Sequence, residues 1–291
     1  MSDIPHFPQL QNTAVSAPKW IRRVARTSIQ LARQRVDPTG RTLPSPESLG
    51  PFVRRHSTAL LRSLGIDVVT HGDTRTKEPA DDECVHRRPI LIVANHVSWI
   101  DPYVINSVFG ARFVAKHDVA GWFVIGPIAR RFGAFFHKRG CFRDAWRTVE
   151  ATHKALRDGY RVGIFPEGTT TYGDHLLPFF PALFQAAIDS QALVQPVALR
   201  YQTAQGEPTE AAAYAGQMTF GESVRNILRA PEIVADLQLG PRLEPGDHRR
   251  DLATRTESAI DAMLWPERSG DERERPRPNW ADLPENLQPA G

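Results

Sequence analysis

PILIVANHVSWID, residues 89–101, reads as a strand that runs through a turn into a helix. Residues 90–94 are a short apolar run of the kind that forms a buried strand. Asn95 and His96 follow at once, so the strand ends by presenting an imidazole. Asp101 comes five residues after His96, and Asp-Pro at 101–102 opens an apolar segment ending at Phe109. Proline at the start of such a segment is a helix-start signal. A tight turn between strand and helix can bring the Asp101 carboxylate back onto His96. A carboxylate on one ring nitrogen fixes the tautomer and leaves the other nitrogen to take a proton. A plainer alternative stands beside this one: Asp101 as an ordinary N-cap and His96 as a hydrogen-bonded histidine at a strand end.

Working outward, the spacing predicts strands over residues 66–70, 112–115, 134–137, 162–165 and 193–199, the last running through Pro196. Helical patterns lie between them at 120–132 (interrupted by Gly126-Pro127), 142–158 and 181–188. Mixed elements fill 219–264 and end in a helix aligning Leu252, Thr256, Ala259 and Met263. Strands alternating with helices predict an α/β fold, a mixed and largely parallel sheet flanked by helices. Ligands in such sheets sit at the carboxyl ends of strands. His96, Lys116, Arg139 and Glu167 each follow a predicted strand and are candidates to converge there.

Before this domain, residues 18–36 carry six basic side chains and no acid, with Trp20, Ile21, Val24, Ala25, Ile29, Ala32 and Val36 at helical spacing. A basic amphipathic helix with a Trp near its start suits an anionic membrane surface; docking on the rest of the protein is the alternative. Residues 37–48 are a proline-bearing connector, and 49–64 are a second amphipathic segment with Leu49, Phe52, Val53, Ala59, Leu60 and Leu64 on one face. The expected organisation is a flexible arm at 1–17, an N-terminal amphipathic two-helix motif for membrane association at 18–64, the α/β domain at 65–265 and a disordered tail at 266–291.

The totals narrow the function classes. A net charge of +3 over 291 residues is too mild to argue for nucleic-acid binding. Two cysteines, Cys84 and Cys141, make no disulfide framework, which points to a reducing compartment. No stretch approaches the ~18 consecutive apolar residues of a transmembrane helix, and the first residues do not follow a signal-peptide pattern. The sequence has no G-x-S-x-G, H-E-x-x-H, P-loop or G-x-G-x-x-G, and neither cysteine has a metal-ligand neighbour, so no metal or resident cofactor is expected.

Four blocks are present in order: NHVSWID at 95–101, GAFFHKRG at 133–140, FPEGTT at 165–170 and VQPVALRY at 194–201. This set resembles the glycerolipid acyltransferase family, in particular the lysophosphatidic acid acyltransferases, over about residues 65–205. The resemblance implies a catalytic pair at His96 and Asp101. It implies acceptor binding by Gly133, Phe136, Arg139, Glu167 and Gly168, with Thr169 and Thr170 in the same block and Pro196 in the fourth. It also implies a monotopic protein on the cytoplasmic face of the inner membrane, using acyl-CoA or acyl-carrier protein as donor. One departure stands out. The third block often reads FPEGTR, and Thr170 replaces that arginine with an uncharged hydroxyl, which weakens the case for a phosphate monoester.

The chemistry fits these residues. An acceptor hydroxyl needs a base before it attacks a thioester, the oxyanion needs donors such as backbone N–H groups of the same turn, and no acyl-enzyme is required. The expected reaction forms phosphatidic acid from 1-acylglycerol-3-phosphate. The alternatives are another lyso-lipid such as lyso-ornithine lipid as acceptor, a thioesterase, or a non-catalytic membrane-binding relative.

Overall fold

The computed structural model describes residues 17–35, 43–72, 88–122, 125–138 and 142–268. The arm up to residue 16, Val36 of the first amphipathic segment, residues 37–42 of the connector, 73–87 of the polar loop, Arg139, both cysteines and the tail beyond residue 268 lie outside the described residues, as do the side chains of Trp20 and Ala32.

The strands are β1 (Ile66–Gly72), β2 (Ile90–Ala94), β3 (Arg112–Lys116), β4 (Phe135–His137), β5 (Val162–Ile164), β6 (Leu193–Gln202) and β7 (Ile233–Leu239). They form one sheet in the order β1-β7-β6-β2-β5-β3-β4. Every neighbouring pair is parallel except β6 and β7, so β1 and β7 run against the other five. The helices are α1 (Ala17–Arg35), α2 (Pro46–Leu64), α3 (Asp101–Phe109), α4 (Ile125–Arg131), α5 (Phe142–Arg157), α6 (Phe184–Ser190), α7 (Phe220–Arg229) and α8 (Arg249–Leu264).

β2 is apolar throughout because both of its faces are covered. Ile92 and Ala94 join the core cluster under α2 and α3, while Leu91 and Val93 join the one under α5, α6 and α8. Each fully buried aliphatic side chain contributes about 1.5–3 kcal/mol. From β2 the chain passes through α3 to β3, leaving a gap that β5 fills; from β5 it passes through α6 to β6, on the other side of β2. The path reverses between β2 and β5, and their carboxyl ends therefore border the crevice where α/β sheets bind ligands.

The α2 face seen in the sequence is a docking face. Leu49, Val53, Leu60, Leu61 and Leu64 are all buried in the main core, and Gly65 caps the helix in the left-handed region. α1 lies over α2 through a Thr27–Ser63 hydroxyl contact of 3.1 Å. Arg23 donates to the carbonyls of Ala230 and Pro231 after α7. Its predicted apolar stripe divides: Val24 turns inward with Leu31, whereas Ile21, Ala25 and Ile29 face outward. Gly126-Pro127 does not interrupt α4; it lies in the first turn, where a missing N–H costs nothing. The buried face of α8 includes Leu252, Thr256, Ile260 and Leu264; of the other expected positions, Met263 packs half-buried against the same cluster and Ala259 is not among its buried residues.

Candidate active site

The turn after β2 is held from three sides. Asn95 extends the ladder past the end of the strand: its side-chain amide donates to the Leu199 carbonyl at 3.0 Å and its oxygen accepts the Leu199 N–H at 2.8 Å. The His96 N–H donates to Glu167 Oε1 at 2.6 Å, and the His96 carbonyl accepts the Thr171 N–H at 2.9 Å. The FPEGTT loop thus grips both backbone groups of His96. The imidazole stacks on Phe165 at 4.0 Å, and Phe165 in turn stacks on Phe113.

The His96 Nδ1–H donates to Asp101 Oδ2 at 2.7 Å. The same oxygen accepts the N–H groups of Val97 and Ser98 at 2.7 and 2.8 Å, and Oδ1 accepts the Tyr201 hydroxyl at 2.7 Å. Asp101 is fully buried; His96 keeps 19% of its side chain exposed. Asp101 is not the N-cap, which falls on Ile100; its carboxylate reaches back to the turn before it. With Nδ1 protonated, Nε2 has a lone pair for a proton. The N–H groups of His96, Val97 and Ser98 are all engaged, by Glu167 and Asp101.

Glu167 is 2% exposed, and both of its oxygens are occupied, Oε1 by His96 N–H and Oε2 by Leu177 N–H at 2.9 Å. It therefore positions the turn and is closed to an acceptor. Burial pushes its carboxyl up to about 8 against the pull of those two backbone donors. Gly168, φ +68°, makes the left-handed step that lets the loop turn back under His96.

An open cavity of about 540 Å³ is lined in part by Thr169 and Thr170 of the loop whose Thr171 holds the His96 carbonyl; His96 and Asp101 are not among its lining residues. Lys116, His117 and Asp118 at the end of β3, His137 and Lys138 at the end of β4, Thr169 and Thr170 after β5, and Tyr214, Ala215, Gly216 and Met218 from the segment between β6 and α7 line it. Tyr214 is bonded to the catalytic turn, its N–H donating to the Val97 carbonyl at 2.9 Å. The Thr170 hydroxyl donates to the Tyr214 carbonyl and so is engaged within the protein rather than offered to a phosphate.

Of the residues singled out in the sequence, His96 and Asp101 meet, and Lys116, Thr169 and Thr170 share the cavity. Gly133, Phe136 and Pro196 do not reach it. Gly133, φ +70°, turns the chain after α4, and its carbonyl accepts Arg112 Nε at 2.8 Å. Phe136 sits in β4 under the Arg130 guanidinium. Pro196 lies inside β6 opposite Val93, and its carbonyl accepts the Gly240 N–H. Sequence reading missed Asn95, Tyr201 and the 214–218 wall. A tyrosine in the run Val197, Leu199, Tyr201, all on one buried strand face, was the available signal, because a buried phenol needs a partner.

The site is thus a histidine held by a buried carboxylate at the carboxyl ends of parallel strands in an α/β fold. The Acyltransferase family model matches residues 68–200. A 1-acyl-sn-glycerol-3-phosphate acyltransferase from Neisseria meningitidis serogroup B is 34% identical over 195 residues, 67% of this chain and 73% of that protein. A lyso-ornithine lipid O-acyltransferase from Rhizobium meliloti is 33% identical over 215 residues, 69% and 70% of the two chains. The crystal structure of the 1-acyl-sn-glycerophosphate acyltransferase from Thermotoga maritima shares the fold, with a TM-score of 0.58 and 18% identity over 84% of this chain and 89% of that one. The chain belongs to the glycerolipid acyltransferase family.

Proposed function

We propose that the protein transfers a fatty acyl group from a thioester donor, acyl-CoA or acyl-carrier protein, to the free hydroxyl of a lyso-lipid, first of all 1-acylglycerol-3-phosphate. The observation that carries this reading is the His96–Asp101 pair, with Nδ1 committed to the carboxylate. As the acceptor oxygen bonds to the thioester carbon, its proton passes to Nε2. The imidazolium is stabilised by Asp101. When the C–S bond breaks, the proton returns to the leaving sulfur and free thiol departs. No serine, cysteine or metal is needed. The relatives named above act on 1-acyl-sn-glycerol-3-phosphate or on lyso-ornithine lipid, which supports a lyso-lipid acceptor.

Lyso-ornithine lipid is a second acceptor, and the position of Thr170 favours it. With its hydroxyl on Tyr214, position 170 offers the head group neither charge nor donor. The cavity presents Lys116 and Lys138 together with Asp118, which suits a zwitterion as well as an anion. The test is a panel of lyso-lipids with both donors, reading thiol release. Release that depends on the lyso-lipid supports a transferase, while equal release without it means a thioesterase. In the same panel Thr170→Arg raises the kcat/KM ratio of lysophosphatidic acid over lyso-ornithine lipid; an unchanged ratio means that position 170 does not read the head group.

The site of action is the cytoplasmic face of the membrane, reached peripherally through α1. Among the described residues no helix is long and apolar enough to cross a membrane. Ile21 and Ile29 are 55% and 54% exposed and lie beside exposed Arg22 and Arg26. Apolar residues flanked by arginines on one helix face suit an anionic interface. The double change Ile21→Asp, Ile29→Asp removes at least ~3 kcal/mol of apolar burial and lowers partition onto acidic liposomes by about 100-fold. Sedimentation equal to that of the wild type counts against the claim.

A further inference from the structure

We infer that Tyr201 is a positioning residue for the proposed catalytic pair, the outer member of a Tyr201–Asp101–His96 relay; this rests on the reading of His96 as the base. Tyr201 comes from β6, 100 residues from Asp101, and is 5% exposed. Its hydroxyl donates to Asp101 Oδ1 at 2.7 Å. The other carboxylate oxygen takes three donors: the His96 ring and the N–H groups of Val97 and Ser98. The two backbone donors pin Oδ2 only. Without a partner on Oδ1, the carboxylate can turn about the bond to its own chain and swing the oxygen that orients the imidazole. The phenol closes that freedom. Its strand is fixed to the same turn, because Leu199, two residues earlier, exchanges both backbone bonds with the Asn95 side chain. The hydroxyl also has an electronic effect. A donor on Oδ1 draws charge away from Oδ2 and so moderates the pull of Asp101 on the ring proton.

Around the pair, Glu167 holds the His96 N–H from the β5 loop, with Glu257 of α8 next beyond it. The phenol is a neutral group that meets Asp101 on the oxygen not used by the histidine.

Two substitutions move the system in opposite directions. Tyr201→Phe removes the donor while keeping the ring. It leaves Oδ1 unpaired, strengthens the pull on the imidazolium, and moves the acid limb of the kcat/KM profile up by about half a pH unit. It also lowers kcat by about three- to tenfold through lost orientation, with acceptor KM unchanged. Placing 3-fluorotyrosine at position 201 keeps the packing and strengthens the donor, so the acid limb moves down; this arm is read even if Tyr201→Phe folds poorly. A purely structural tyrosine lowers stability without moving the limb. The inference fails if both variants keep the wild-type limb while His96→Ala is inactive. If His96→Ala retains activity, the reading of the pair fails first, whatever Tyr201 does.

Discussion

His96→Ala abolishes nearly all acyl transfer while the protein stays folded. The imidazole stacks on Phe165 and accepts nothing from the core, so truncation leaves the turn held by Glu167, Thr171 and Asn95. What is lost is the group that takes the acceptor proton, and such losses cost on the order of 10² to 10⁴ in rate. Asp101→Asn is also severe, because an amide in place of Oδ2 no longer fixes the ring tautomer. Asp101→Ala differs. It strips the acceptor from two buried N–H groups and from the Tyr201 hydroxyl, each worth about 1–3 kcal/mol when left unpaired. It therefore lowers the melting temperature as well as the rate. The measurement is thiol release with saturating lyso-lipid, alongside thermal unfolding. More than about a tenth of wild-type rate in a folded His96→Ala rules out the base assignment. Full activity in a destabilised Asp101→Ala reduces Asp101 to a brace for the turn.

The element pattern was legible because it rests on local rules. Unbroken apolar runs at 90–94 and 162–164 mark strands covered on both faces, and Asp-Pro after the turn marks α3. The pair itself was legible because its members are five residues apart. The partners of the pair were not, because they are set by topology. Tyr201 meets Asp101 only because β6 lies next to β2, and Tyr214 meets Val97 only because the segment after β6 crosses the carboxyl ends of the strands. Glu167 shows the same limit: a carboxylate after a strand reads as a ligand for substrate until its two oxygens are seen to face backbone N–H groups. Pro196 is a similar case. A proline in a central strand looks exceptional in sequence, yet β7 pairs with β6 only from Val197 onward, so the missing donor falls where that ladder has not begun.

Glu167→Ala costs both stability and rate, and its pH dependence carries a definite sign. Two buried N–H groups, His96 and Leu177, lose their acceptor at about 1–3 kcal/mol each. The His96 end is the anchor of the base, so kcat falls together with the melting temperature. The pH dependence comes from burial, which raises the carboxyl from its ordinary 4.5 to about 8, with Asp101 and Glu257 adding to the rise and the two backbone donors opposing it. The folded protein then holds this proton at pH values where the unfolded chain has released it. Stability from the group is complete below about pH 4.5 and declines as pH climbs toward 8. The slope is at most ~1.4 kcal/mol per pH unit. Glu167→Gln keeps one oxygen acceptor and has no proton to lose, so it serves as the reference. Urea unfolding of wild type and Glu167→Gln between those limits gives the difference in stability directly. A difference that shrinks as pH rises means that burial dominates. A difference that is flat or grows means that the two backbone donors outweigh burial, and Glu167 then works as a permanent anion pulling on the His96 N–H.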